Sequence, residues 1–154
     1  MSEDASLTIQ SVPSTKAPFH LLLEADPSES KVRNYLEKSR CYVAETAGRA
    51  VGVYVLQPVS SSVLELMNIA VDPEVQASGI GSTLLRHAIA TARNLGAKKL
   101  ALGTGSFGYQ LSFYQKAGFR VESVDRDFFL KNYDEPIFEN GIQHKDMLRL
   151  GISL

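Results

Sequence analysis

Gln76, Gly79 and Gly81, in the string QASGIG, stand just ahead of a long helical pattern and are the residues whose types and spacing most directly suggest chemistry. Glycine has no side chain to hold a ligand away, so a backbone that passes close to a pyrophosphate favours it. The helix behind adds the unpaired N–H groups of its first turn and the positive end of its dipole. Gln76, Ala77, Ser78, Gly79, Ile80, Gly81 and Ser82 thus form a candidate phosphate cradle that needs no lysine. The competing reading is a capped helix start that holds nothing.

Two other glycine motifs fit poorly. A Walker loop ends in Gly-Lys-Ser/Thr, whereas Gly81 is followed by Ser82 and Thr83. A dinucleotide fingerprint wants a third glycine where Leu84 stands and an acidic residue about twenty positions on, where the chain reads LALGTG. The string instead resembles the central motif of the GNAT superfamily of acyl-CoA-dependent N-acyltransferases, Arg/Gln-x-x-Gly-x-Gly/Ala between a strand and a helix. NIAVDPEVQASGIGSTLL carries the apolar strand end, the Asp-Pro turn and the helix opening in the same order, and FYQKAGFRV at 113–121 looks like the Leu-Tyr-x-x-x-Gly-Phe ending of the family's next helix. The two motifs span the central and C-terminal parts of the chain.

The resemblance implies acetyl-CoA as co-substrate and direct transfer to an amine; from the residues themselves, no metal site is predicted. A lysine-like amine of pKa about 10.4 is unprotonated in only about one molecule in 2,500 at pH 7, so a base helps. Glu65 matches the strand position where some members place that base. In a regular strand it shares a face with Val63, Met67, Ile69 and Val71, whose apolar character would raise the carboxyl pKa toward the working range. A solvent-facing strand carboxylate is the alternative, because a bulge would reverse the face. Tyr114 matches the family's frequent general-acid position, where a phenol protonates the departing thiolate; the alternative is a core aromatic sharing helical spacing with Leu111 and Ala117. By the same resemblance, the backbone at Ile69, Ala70 and Val71 would meet the pantetheine arm. Where many members carry an asparagine before the second helix, this chain reads GTGSFGYQ, and Ser106 is the candidate for that contact to CoA.

The elements that must position these residues can be read around them. Leu84, Leu85, Ala88, Ile89, Ala92 and Leu95 recur at helical spacing from Gly81 to Leu95, and Gly96 closes the helix. Ahead of it CYVAET, VGVYVLQP and VLELMNIAV, separated by turns at 47–49 and 60–62, predict an antiparallel meander of three strands. After it LALG reads as a buried strand, and a strand-helix-strand crossover implies parallel pairing, hence a mixed sheet. A second helix over 109–117, a strand from Phe119 to Val124 and a last strand in DMLRLGISL complete the pattern. Leu7 to Val12 suggests a first strand, 19–25 is a short apolar segment, and Ser30 is a candidate cap for a helix through Leu36 and Lys38. The expected architecture is one α/β domain over 1–154 with a GNAT-like mixed twisted sheet, an antiparallel meander followed by a strand-helix-strand acyl-CoA-binding unit.

The 154 residues suit one domain, and the formal net charge of -1, from 16 basic and 17 acidic residues, offers no general attraction for nucleic acid or an anionic membrane. MSEDASLTIQ lacks a basic region followed by an apolar run, and no stretch approaches the ~18 apolar residues of a span, so a soluble cytoplasmic protein is expected. Cys41 has no partner and reads as a buried core thiol; His20, His87 and His144 lack metal-ligand spacing, and His87 reads as a surface residue. The expected partner is a small-molecule amine or a protein amine, with a homodimer compatible with the sequence; a non-catalytic acyl-CoA sensor is the rival from another class. In segment 125–143 Asp125, Asp127, Asp134, Glu135 and Glu139 lie among Phe128, Phe129, Tyr133 and Phe138, which suits either packing of the last strands or capture of a cationic amine.

Overall fold

The computed structural model describes residues 6–76 and 78–154. In chain order the elements are β1 (Thr8–Val12), a 3-10 turn at Ser14–Lys16, α1 (Phe19–Ala25), α2 (Glu29–Leu36), β2 (Arg40–Thr46), β3 (Arg49–Pro58), β4 (Val63–Val71), a 3-10 turn at Pro73–Val75, α3 (Ile80–Asn94), β5 (Lys99–Gly105), α4 (Tyr109–Lys116), β6 (Arg120–Asp125), α5 (Phe128–Asn132), β7 (Phe138–Glu139), β8 (Ile142–Gln143) and β9 (Met147–Ser153). Seven strands form one sheet in the order β1-β2-β3-β4-β5-β9-β6, and β7 and β8 form a separate hairpin. The predicted meander is present, extended by β1, and β4 and β5 form the parallel pair. The last strand, β9, enters between β5 and β6.

Period-two alternation divides the core between the two sheet faces. Cys41, Val43, Val53 and Val55 pack with Leu21 and Leu22 of α1 and Val32 and Leu36 of α2, while Tyr42, Tyr54 and Leu56 face Leu84, Leu85, Ala88 and Ala92 of α3. Cys41 is 1% exposed, as expected, and burial pushes its thiol pKa up to about 11. Segment 19–25, read only as apolar, is helical, with Leu21 and Leu22 buried. The cap of α2 is Ser28 and not Ser30: Ser28 Oγ accepts the N–H of Lys31 at 3.3 Å, which leaves Ser30 inside the first turn. His87 also departs from expectation. It is half-buried, and its Nδ1 lies 2.6 Å from the Tyr54 hydroxyl, which also donates to Thr91 Oγ1 at 2.9 Å.

The correction that matters for function lies in β4. Leu56 pairs with Leu66 and Val55 with Asn68, so Met67 is an extra residue opposite β3, a bulge. Leu64 and Leu66 therefore share a face with Ile69, toward α3, whereas Glu65 falls on the face of Asn68 and Ala70, toward α1 and α2. The regular strand that would put Glu65 beside Ile69 and Val71 does not form.

Candidate active site

The sheet opens beside the turn that leads into α3. β4 and β5 pair only over Val63–Glu65 and Lys99–Ala101; beyond that the strands diverge and β4 keeps one free edge from Leu66 to Val71. Asp72 N–H donates to Val51 C=O at 2.8 Å, which sets the phase of the ladder to β3. Because facing pairs alternate between bonded and non-bonded, the amide of Ala70 belongs to the β3 ladder while the N–H and C=O groups of Ile69 and Val71 aim at the free edge. Val71 C=O indeed accepts Gln76 Nε2–H at 3.2 Å there.

The turn that follows is tied down locally. Asp72 Oδ1 accepts Glu74 N–H at 3.0 Å and its Oδ2 pairs with Arg49 at 2.5 Å, contacts that hold the carboxyl below its ordinary pKa, the backbone N–H contributing most. Ser78 Oγ donates to Val75 C=O. Gly79 takes φ +87° to turn the chain into α3, a conformation that costs an L residue about 1 kcal/mol or more. At Gly81 a Cβ would sit 3.8 Å from both Phe113 and Val71, so the missing side chain leaves room in the cleft rather than relieving a clash.

Glu24, Ile69, Ala70, Val71, Gln76 and Gly81 line this cleft, of about 160 Å³, with Phe113 and Tyr114 of α4 closing it. Sequence reasoning named most of these as site residues but not Glu24 and Ala25, which arrive from α1, nor Val75, Tyr109 and Gln110, which also line the cleft. Ile80 is half-buried and packs on the core, Ser78, Ser82 and Ser106 are exposed and outside the lining, and Ala77 lies outside the described residues.

Tyr114 is 7% exposed, with its ring 5.3 Å from that of Phe113 and 5.9 Å from that of Phe119, so it is a core aromatic that also reaches the cleft. Burial, with Tyr109 adding to it, pushes its hydroxyl pKa well above the ordinary tyrosine value and keeps the phenol protonated. Glu65 lines a different cavity, with Asp26, Tyr35, Tyr133 and Arg149. Burial raises its carboxyl above 4.5, against the pull of Arg149, whose Nη1 stands 3.3 Å from Oε2.

Between the two lies a third cavity, of about 510 Å³, that sequence reasoning did not assemble. It shares Glu24, Ala25, Tyr109 and Gln110 with the cleft, and Asp26, Met67, Gly103, Tyr133 and Met147 with the Glu65 cavity. Asp26 there accepts the hydroxyls of Tyr35 at 3.2 Å and Tyr133 at 3.1 Å, and Asn68 Nδ2 donates to the Tyr35 oxygen at 2.9 Å, a network that fixes α1, α2 and β4 against the segment after α5. Among the described residues no group of three metal-ligating side chains is assembled.

A family model for the acetyltransferase (GNAT) domain matches residues 37–121. The chain is 48% identical over 137 residues, 88% of each chain, to the uncharacterized N-acetyltransferase YvbK of Bacillus subtilis (strain 168). Its fold matches the IAA acetyltransferase of Bacillus cereus ATCC 14579 with TM-score 0.93 and 47% identity, covering 97% of this chain and 100% of that one. A GNAT acetyltransferase from Elizabethkingia anophelis with acetyl-CoA bound matches with TM-score 0.92 and 42% identity, covering 96% and 98%. The chain therefore belongs to the GNAT acetyltransferase family, and it is an acetyl-CoA-dependent acetyltransferase. No helix among the described residues is long and apolar enough to cross a membrane.

Proposed function

We propose that the protein transfers the acetyl group of acetyl-CoA directly to a small-molecule primary amine, with the cleft between β4 and β5 as the donor site. The observation that carries this reading is the free edge of β4, where the backbone groups of Ile69 and Val71 aim into a cleft bounded by the N-terminus of α3 and by Tyr114. The pyrophosphate takes the turn from Gln76 to Ser82, and the pantetheine arm takes the place of the missing strand partner. The acetyl-CoA bound to the Elizabethkingia relative supports the same donor here.

In this reading the acceptor enters the 510 Å³ cavity, a volume in the range of small-molecule sites. The amine nitrogen attacks the thioester carbonyl carbon, the C–S bond breaks, and Tyr114, kept protonated by burial, gives its proton to the leaving sulfur and regains one from the new amide nitrogen through solvent. Glu65 is the proton acceptor. It takes the ammonium proton by way of water, because it lines the adjoining cavity and not the cleft, and its raised pKa brings it nearer the working range. The test is acetyl transfer to a panel of amines with Tyr114→Phe in parallel: loss of turnover with CoA binding retained supports the assignment, and full turnover at a chemistry-limited rate removes it.

A further inference from the structure

The loop between β5 and α4 is shaped around two side chains that the donor site does not use. His144 is 7% exposed, stacks on Phe107 with ring centroids 4.1 Å apart and planes 8° apart, and lies against Gly105, where a Cβ would collide with the ring. Its Nε2 is 2.9 Å from Glu139 Oε1. A carboxylate only accepts, so Nε2 carries the hydrogen. The Glu139 carboxylate in turn lies over Gly108, where a Cβ would stand 2.6 Å from Oε2. Gly105, Phe107 and Gly108, in the loop GSFG, thus give the β7–β8 hairpin a seat that leaves Glu139 half-buried in the cavity beside the cleft. Among the described residues His144 Nδ1 is buried with no hydrogen-bond partner.

The cavity has one sign of charge. Its lining includes Glu24, Asp26, Glu139 and five aromatic rings, with no lysine or arginine among the described lining residues. Asp26 is already occupied by two tyrosine hydroxyls and the Ser28 N–H, and Glu24 is exposed. Glu139 has one oxygen held by His144 and, among the described residues, no partner for the other. A fixed carboxylate with a free oxygen, set among ring faces, suits a group that is cationic and carries N–H donors.

We propose that Glu139 is the acceptor-docking carboxylate, selecting a primary ammonium with an apolar or aromatic body, and that His144 is its positioning residue. The inference rests on the donor-site reading above and names the acceptor of that site. Calorimetric titration of the CoA-saturated protein with 2-phenylethylamine, and with uncharged 2-phenylethanol as comparator, tests it. The amine should bind about tenfold or more tightly than the alcohol; Glu139→Gln should erase that preference and leave alcohol binding unchanged. His144→Phe keeps the stack but not the donor and should weaken the amine several-fold, whereas His144→Gln, which keeps an N–H, should recover part of the loss. In steady state, Glu139→Gln should raise the amine KM about tenfold and leave the acetyl-CoA KM unaltered. CoA affinity measured first in each variant separates a failure of this site from a failure of the donor cleft. Equal binding of amine and alcohol by the wild type, or an amine preference that survives Glu139→Gln, overturns the proposal.

Discussion

Tyr114 and Glu65 are both ionisable groups shifted upward by burial, with opposite consequences. A raised tyrosine pKa keeps the proton that a leaving thiolate needs, so Tyr114→Phe should lower kcat by about 10- to 1,000-fold with CoA affinity near wild type. That split between turnover and binding is read from steady-state kinetics and CoA titration. In the proposed role of Glu65 as proton acceptor the active form is the carboxylate, so activity should rise with pH through its raised pKa, above 4.5. Glu65→Gln should lose that acid limb, be most impaired near neutral pH and recover partly at high pH, where the amine deprotonates unaided; a pH–rate profile unchanged by the substitution would remove Glu65 from the chemistry. The same shift has a stability sign. A carboxyl whose folded pKa lies above its unfolded value supports the fold most at low pH and loses that support as pH rises through the folded value, so Glu65→Gln should flatten the stability profile above about pH 4.5.

At the scale of elements, the free edge of β4 and the turn into α3 make separable predictions. CoA should slow hydrogen exchange at the amides of Ile69 and Val71, which aim at the cleft, and leave that of Ala70, in the ladder to β3, unaffected. Gly81→Asp, which adds bulk and negative charge between Phe113 and Val71, should abolish CoA binding in a folded protein, as followed by titration. Gly79→Ala should instead destabilise the fold by about 1 kcal/mol in denaturant melts, since its φ of +87° is the difficulty there. The strand, turn and helix that frame the candidate cradle were legible because they lie within one continuous stretch. The face of Glu65 was left open between a regular and a bulged strand: MNIAV carries no local mark of the bulge at Met67, which is set by pairing with β3 and reverses the face of every residue before it. Ser28 and Ser30 are equally good caps by type, and only the backbone path decides between them. Glu139 was read only as one of five acids in a segment suited to packing or to capture of a cationic amine, and His144 only as a histidine without metal-ligand spacing; their pairing escaped notice because their seat is built from Gly105, Phe107 and Gly108, more than thirty positions away in sequence.

At the scale of the whole molecule, the sheet is two antiparallel blocks joined through a short parallel contact between β4 and β5. A ligand seated in the gap touches both blocks and should act as a brace. At a free concentration 100-fold above Kd, binding adds about 2.7 kcal/mol, a shift of about 5–10 °C in Tm for a chain of this size. Meander, crossover and mixed sheet were readable from periodicity and turn residues, whereas the insertion of β9 between β5 and β6 depends on contacts across the chain; the β7–β8 hairpin, turned by Asn140 and Gly141 at positive φ, has a local signal that the sequence reading did not use. The central claim is that this brace is a substrate and that an amine consumes it. The measurement that tests it most directly is amine-dependent release of the CoA thiol from acetyl-CoA, with the acetylated amine identified by mass spectrometry. The account predicts thiol release that rises with the concentration of a small primary amine, matches the product one for one and falls in Tyr114→Phe; binding of acetyl-CoA with the expected Tm shift, but no thiol release with any small-molecule or peptide amine, would contradict it and leave a sensor.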